Sequence, residues 1–462
     1  MTRAIVVGAS IAGLVAARVL SDRVDEVVVV ERDRLSDGAD ARPGVPQAVH
    51  VHVLLRRGYV ELTRLFPAFD ERLANAGAPA IDWSRDAQWI TPAGHAPRFP
   101  STLRSRTASR ALFEATIRAI TLERANVRLL DGHEAVGLIG DARAISGVRL
   151  RPRPVAGSTP EPAGDTPTNL EGWLVVDASG RGSRMPAELE AVGVPEPQET
   201  VIDASLRYAT RIYRIPPGSR DWKGLLVRDR PPSGTRGGGV FELEGGRWVV
   251  TLGGAGVDQP PTDEAGFHDF ARSLISPILA DAIRNAEPLT PVRGWARTAN
   301  RWRHVERMRD WPAGFALAGD AMCALNPVYG QGMSVAAMEG PVLAVWLNSA
   351  STARAIATDS PPATTDLMRR LARAARLPWL LATAEDARIA GVQGAPEAGR
   401  LGSILQRYVD EIQLNAARDR RTMRRFTEVS QLVRGPVALF DPLVLWRVAT
   451  GLAHRRMGRP SG

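Results

Sequence analysis

Residues 4–20 read AIVVGASIAGLVAARVL and residues 27–31 read VVVVE. Ala4 to Val7 suit a strand buried on both faces, a small-residue turn follows at Gly8 to Gly13, and Ile11 to Leu20 take helical spacing. Val27 to Val30, all β-branched, read as a second buried strand. Together they form a βαβ unit at the N-terminus, the start of an α/β fold. In such a unit the turn lies at a helix N-terminus, where free backbone N–H groups cradle a pyrophosphate. Gly8, Ser10, Ile11, Ala12 and Gly13 are the candidate residues, with Ser10 standing where the usual fingerprint has its middle glycine. Glu31, 18 residues past Gly13, ends the second strand with a carboxylate suited to both hydroxyls of an adenosine ribose.

Two later segments match the same chemistry. Asp177, Gly180 and Ser183 follow the apolar strand Leu174 to Val176, and small residues there permit a close backbone approach to a phosphate or ribityl group. Residues 315–339 read FALAGDAMCALNPVYGQGMSVAAME. A buried strand ends in Gly319 and Asp320, a loop crosses through Pro327, and Gly330-Gln331-Gly332 opens a helix. A flavin needs this combination: a carboxylate for its ribityl hydroxyls, and a positive helix end near its pyrimidine edge. Free N–H groups at Gly332 and Met333 would stabilise the charge that a reduced flavin carries at N1 and the C2 oxygen.

At 462 residues the chain is long enough for two or three domains. Its net charge of +9 invites a nucleic-acid reading, but Lys223 is the only lysine among 59 basic residues and the arginines are spread over the whole length. No nucleic-acid partner is expected. The single cysteine, Cys323, excludes an internal disulfide, reads as a packing residue and fits a reducing cytoplasm. Met1 to Leu20 lacks the basic run and cleavage site of a signal peptide, and no run of 18 apolar residues predicts stable membrane insertion. His50 and His52 have metal-pair spacing but no acidic or cysteine partner nearby, so no metal is expected.

The remaining pattern predicts helices over Val51 to Phe66 and Ser109 to Glu123, with short strands over Pro79 to Pro100. A β-meander over Leu129 to Leu150 and a mobile loop over Pro152 to Asn169 follow. Ala204 to Ile215 and Gly239 to Leu252 alternate as an antiparallel sheet. Helices over Thr365 to Ala390 and Ser403 to Leu432 precede Pro442 to Met457, which is expected to pack against the first domain rather than touch a membrane.

The three motifs in this order resemble the FAD monooxygenases related to p-hydroxybenzoate hydroxylase, over roughly residues 1–345. The likeness implies a Rossmann-like (GR2-type) FAD-binding domain at 1–75, 101–190 and 285–345. It also implies an antiparallel-sheet substrate domain at 76–100 and 191–284, and a helical region at 346–462. By the same likeness FAD would be held by Gly8 to Gly13, Glu31 with Arg32, Arg42, Gln47, Arg110, Val136, Asp177 with Gly180, and Gly319, Asp320, Pro327, Gly330, Gly332 and Met333. Arg42 and Gln47 are expected near the flavin ring.

The run from Arg42 to Gln47, with His50, His52 and Asn326 to Gly330, resembles a bacterial branch that includes the epoxidases of polyether antibiotic pathways. The implied activity is transfer of one oxygen of O2 from a C4a-hydroperoxyflavin to a lipophilic natural-product intermediate, alkene epoxidation first. Tyr208, Trp222 and Trp248 are the candidate substrate wall, and no catalytic acid or base is assigned. Without a second Gly-rich βαβ unit, NADPH or NADH would visit transiently, or a partner flavin reductase would supply reduced flavin. Alternatives are an aromatic hydroxylase, a double-bond reductase sharing the Asp177-Ala178-Ser179-Gly180 run, and a non-catalytic accessory flavoprotein. A halogenase is disfavoured because its Trp-x-Trp-x-Ile-Pro run is absent and Lys223 lies outside any recognisable site.

Overall fold

The computed structural model describes residues 1–153, 167–218, 220–231, 233–397 and 399–456. The first two strands form at Arg3–Val7 and Glu26–Glu31, on either side of the helix Ile11–Leu20. They are central in a five-stranded sheet of order Phe315–Leu317, Leu174–Asp177, Arg3–Val7, Glu26–Glu31, Val127–Asp131. Every pair in it is parallel. The helices Ile11–Leu20 and Gly332–Leu347 cover one face. A three-stranded antiparallel sheet covers the other, so Ala4 to Val6 and Val27 to Val29 are fully buried. That double burial is why these strands read as unbroken apolar runs. All five strands run the same way, so Gly8, Glu31, Asp177 and Gly319 gather along one carboxyl edge, where open α/β sheets place their ligands.

A seven-stranded sheet stands over that edge. Its order is Arg293–Trp295, Leu206–Arg214, Arg247–Ala255, Gly237–Leu243, Gly224–Arg228, Ala87–Thr91, Gly94–His95. Alternation divides its side chains between two faces. Ala209, Tyr213, Trp248 and Val250 pack under the helices Glu264–Arg272 and Ile278–Ile283. Thr210 and Ile212 point the opposite way, toward the segment 50–53. The fold is therefore α/β, a Rossmann-like layer with an antiparallel sheet and a helical C-terminal region.

Several local expectations change. The helix starts at Arg56, because residues 51–55 run extended to carry His50 up to the second sheet. Val127–Asp131 joins the parallel sheet instead of opening the meander. Arg293–Trp295 pairs with Leu206–Arg214, so the chain returns to the parallel sheet only after residue 295. The helix Pro442–Arg456 packs through Val444 and Val448 on Ile412 of the helix Arg400–Ala416, not on the parallel-sheet layer. Of the expected loop Pro152 to Asn169, the end pairs as the strand Thr168–Glu171, and residues 154–166 lie outside the described residues, as does Met457. Among the described residues no helix is long and apolar enough to cross a membrane.

Trp248 is fully buried beneath the backing helices. Trp248→Ala is expected to cost about 3–5 kcal/mol of stability, read as a lowered urea midpoint with an unchanged slope.

Candidate functional site

The turn after the first strand closes tightly. Gly8 has φ +105°, and a Cβ there would sit 2.5 Å from the Ala178 carbonyl oxygen, while one on Gly13 would sit 1.8 Å from that of Gly8. Ser10 stands at the N-cap of the helix Ile11–Leu20, yet its side chain caps nothing; its Oγ accepts from Arg110 Nη2 at 2.6 Å. The first-turn N–H groups at Ile11 and Ala12 therefore point, uncapped, to a place an anion fits.

Arg110 passes the turn's position on to a buried ion network. It pairs with Glu114 (3.0 Å), and Glu114 pairs with Arg42 (2.8 Å). Arg42 also meets Asp33 (3.0 Å) and Glu31 (2.9 Å). Burial opposes the Arg42 charge, but Glu114 and Glu31 outweigh it and hold the guanidinium above its ordinary pKa. Glu31 itself accepts from the Ala9 and Asp33 N–H groups at 2.9 and 3.0 Å. Arg42 thus belongs to the Glu31 end of the cleft, not to the ring end where the sequence suggested it. Arg32 reaches out to the Gly44 carbonyl, Gln47 is half-buried in the turn Pro46–Val49, and Val136 lies at a bulge in the strand His133–Gly140.

At the third strand end, Asp177 is fully buried and turned on its own loop. It accepts from the Ser179 N–H (2.9 Å) and Oγ (2.6 Å) and from the Ser183 hydroxyl. It shapes the turn, while Gly180, at φ +86° and with no atom within 4 Å of a built Cβ, is the part that faces open space.

Asp320 behaves differently. It is half-buried, accepts no hydrogen bond among the described residues, and has a carboxyl pKa raised by burial, against the pull of Arg181 and Arg110. The turn that presents it is pinned by a residue the sequence reading missed: the Gly319 N–H donates to both oxygens of Glu339, at 3.0 and 2.9 Å. Burial pushes Glu339 up to about 8. Its signal was an isolated acid within the apolar helix Gly332–Leu347. That helix begins without a capping side chain, after Gly330 at φ +65°, so the N–H groups of Gly332 and Met333 are free beside Asp320.

The loop between them is held from the C-terminal helices. Asp386, fully buried at the end of the helix Thr365–Asp386, accepts from Asn300 (2.6 Å), Asn326 (3.0 Å) and the Tyr329 hydroxyl (2.6 Å). Nothing in the sequence singled it out. Pro327 opens the short turn so fixed.

Above the cleft, His50 Nδ1 bonds Thr210 Oγ1 at 2.9 Å, and Thr210 bonds Thr251 at 2.7 Å. Tyr208 meets the imidazole edge-on at 4.9 Å. His52 turns away, its Nδ1 3.0 Å from the His50 carbonyl. Burial pushes His50 down to about 4 and, with help from Arg110, His52 to about 3, so both are neutral at pH 7. Trp222 and Trp248 stack on each other at 5.4 Å on the helix-backed face, so the sheet separates them from the cleft and only Tyr208 of the three wall candidates faces it.

Solved structures of the same class share this architecture. The flavin-dependent brominase Bmp2 aligns over 98% of this chain and 99% of its own, at 13% identity and a TM-score of 0.64. The myxobacterial chondrochloren halogenase CndH covers 93% and 97% at 14% and 0.64. PqsL of Pseudomonas aeruginosa, a probable FAD-dependent monooxygenase, covers 84% and 97% at 15% and 0.58. The fold is that of the FAD-dependent halogenases and monooxygenases. No protein-family model matches the chain. Protein Rv3254 of Mycobacterium tuberculosis (strain ATCC 25618 / H37Rv) is 32% identical over 351 residues, 73% of this chain and 71% of that protein, and the chain belongs to its family.

Glu339 yields a pH test. Its folded pKa lies above the ordinary 4.5, so the folded state keeps a proton that the unfolded chain releases. The resulting stability is whole below about 4.5 and declines as pH rises to about 8. Glu339→Gln, which keeps an acceptor for Gly319, is expected to flatten that decline in denaturant melts between those pH values.

Proposed function

We propose that this chain is an FAD-dependent monooxygenase acting on a lipophilic small molecule. The observation that carries the reading is Asp320, a carboxylate without a protein partner, lying beside one uncapped helix N-terminus and on the same sheet edge as another. The donor set fits an FAD: Ile11 and Ala12 for the pyrophosphate, Glu31 for the ribose, Asp320 for the ribityl chain, and Gly332 and Met333 for the ring's pyrimidine edge. When bound, FAD supplies the redox chemistry that activates O2. One oxygen atom enters the substrate, and the other leaves as water with two electrons from a nicotinamide or a partner reductase.

The chain's own residues hold, orient and dry the site. A roof of glycines, Tyr208 and neutral His50, with Arg228 at the border and paired with Glu385, suits a lipophilic substrate and oxygen transfer to an alkene, which needs no side-chain base. His50 favours a second form, hydroxylation of a phenol, since its neutral imidazole can hydrogen-bond the substrate's hydroxyl group, although burial makes it a poor base. Lys223, the chain's one lysine, is engaged in an exposed bond to the Ala80 carbonyl, and oxygenation is preferred to halogenation. The discontinuous division into an FAD-binding layer and a substrate sheet, with the helices beyond residue 346 as buttress, follows from this reading.

The purified protein is expected to be yellow. Asp320→Ala should weaken FAD binding by about 1.5–3 kcal/mol, since charged hydrogen bonds to the ribityl chain are lost. A variant that retained full flavin absorbance through gel filtration would contradict this placement, and reductant consumption indifferent to O2 would contradict oxygenation.

A further inference from the structure

The underside of the seven-stranded sheet carries a patch without side chains. Register places Tyr208 opposite both Trp295 and Gly253, Gly253 opposite Gly237, and Gly237 opposite Arg228. In the next row toward the sheet's interior, Thr210 pairs with Thr251, and Gly239 lies between Thr251 and Leu226. Directly opposed residues share a face, so Gly237, Gly239 and Gly253 form a contiguous bare area. Two residues along a strand span about 6.7 Å and adjacent strands lie about 4.8 Å apart, which gives the area of one or two fused rings.

Gly237 and Gly253 are partly exposed, while Gly239 is buried beside the Leu226 and Phe241 side chains. A Cβ built on Gly237, Gly239 or Gly253 finds only atoms of the sheet itself, none nearer than 3.2 Å. On the opposite face, a Cβ on Gly238 would meet Leu279 and Leu274 at 2.7 and 3.1 Å. The patch hangs between two segments of the cleft: His50 reaches Thr210 on one side, and Arg228 lies 5.7 Å from the Tyr329 ring on the other.

Polar anchoring is sparse there. Thr210 and Thr251 satisfy each other. His50 Nε2 and the Tyr208 hydroxyl have no hydrogen-bond partner among the described residues, and neither is sealed from open space. Because His50 Nδ1 can donate to Thr210 or accept from it, Nε2 can be either acceptor or donor. A hydroxyl group complements both tautomers.

We propose that the glycine patch seats a flat, apolar ring system and that His50 anchors that molecule through a hydroxyl group. This deepens the monooxygenase reading, on which it rests for the flavin beneath. Equilibrium dialysis of the purified protein against naphthalene and 2-naphthol tests it without any flavin signal, while FAD content is measured separately. The wild type should bind 2-naphthol about 5- to 10-fold more tightly than naphthalene. His50→Phe should bind naphthalene as before and lose the preference. Gly253→Val should weaken both ligands tenfold or more. Gly253→Ala, whose added carbon has its nearest neighbour at 3.6 Å, should act in the same direction should the valine variant fail to fold.

Equal wild-type affinities, no binding of either ligand, a preference that survives His50→Phe, or glycine variants that bind as the wild type does would each overturn the proposal. The expected pattern in a protein that refuses FAD would sink the monooxygenase reading and leave the ring site standing. A flavin-loaded protein without the pattern would do the reverse.

Discussion

The cleft depends on a guanidinium enclosed by three carboxylates. Arg42 meets Glu31 at the end of a strand, Asp33 in the following loop and Glu114 on a helix whose first residue, Arg110, grips Ser10. Removing one member of such a network leaves the others charged and dry, so its geometry is enforced far more strongly than any surface pair's. The strand end, the loop, the helix and the phosphate turn consequently share one arrangement. The network also limits the site. A carboxylate has about four lone pairs, and Ala9, Asp33 and Arg42 already draw on those of Glu31, which leaves about one for a ribose hydroxyl.

At the other end the same principle uses acids that make no ion pair. Glu339 holds the Gly319 turn, and Asp386 holds the loop between Asn326 and Tyr329, each through neutral donors. Asp320, one residue past Gly319, thereby stays free of protein donors. The helix that supplies Asp386 lies beyond the last of the three sequence motifs, so the C-terminal helices help build the cleft.

The legible parts of the sequence were those with a strict local requirement. Gly8, Gly13 and Gly319 occupy positions a side chain would obstruct, and double burial makes the parallel strands conspicuous. What stayed hidden was non-local. The face a strand residue takes depends on register, which single-sequence alternation leaves open by one residue, and that is how Trp248 was placed on the cleft side. Asp386 and Glu339 act through partners 57 and 20 residues away, so no local motif surrounds them. Arg42 was read from its neighbours in sequence, whereas its position follows from three carboxylates brought to it by the fold.

Floor and roof of the cleft are built to opposite rules. The floor offers uncapped N–H groups and a partnerless carboxylate, a surface suited to a charged, many-hydroxyl ligand. The roof offers glycines, a tyrosine and a histidine kept neutral by burial, a surface that favours apolar matter and resists water. A hydrophilic cofactor and a lipophilic substrate would thus be sorted to opposite sides by solvation alone. Their meeting plane would lie where the extended segment 50–55 turns from roof to floor, as His50 bonds Thr210 above and the Leu55 N–H bonds Ser334 of the lower helix.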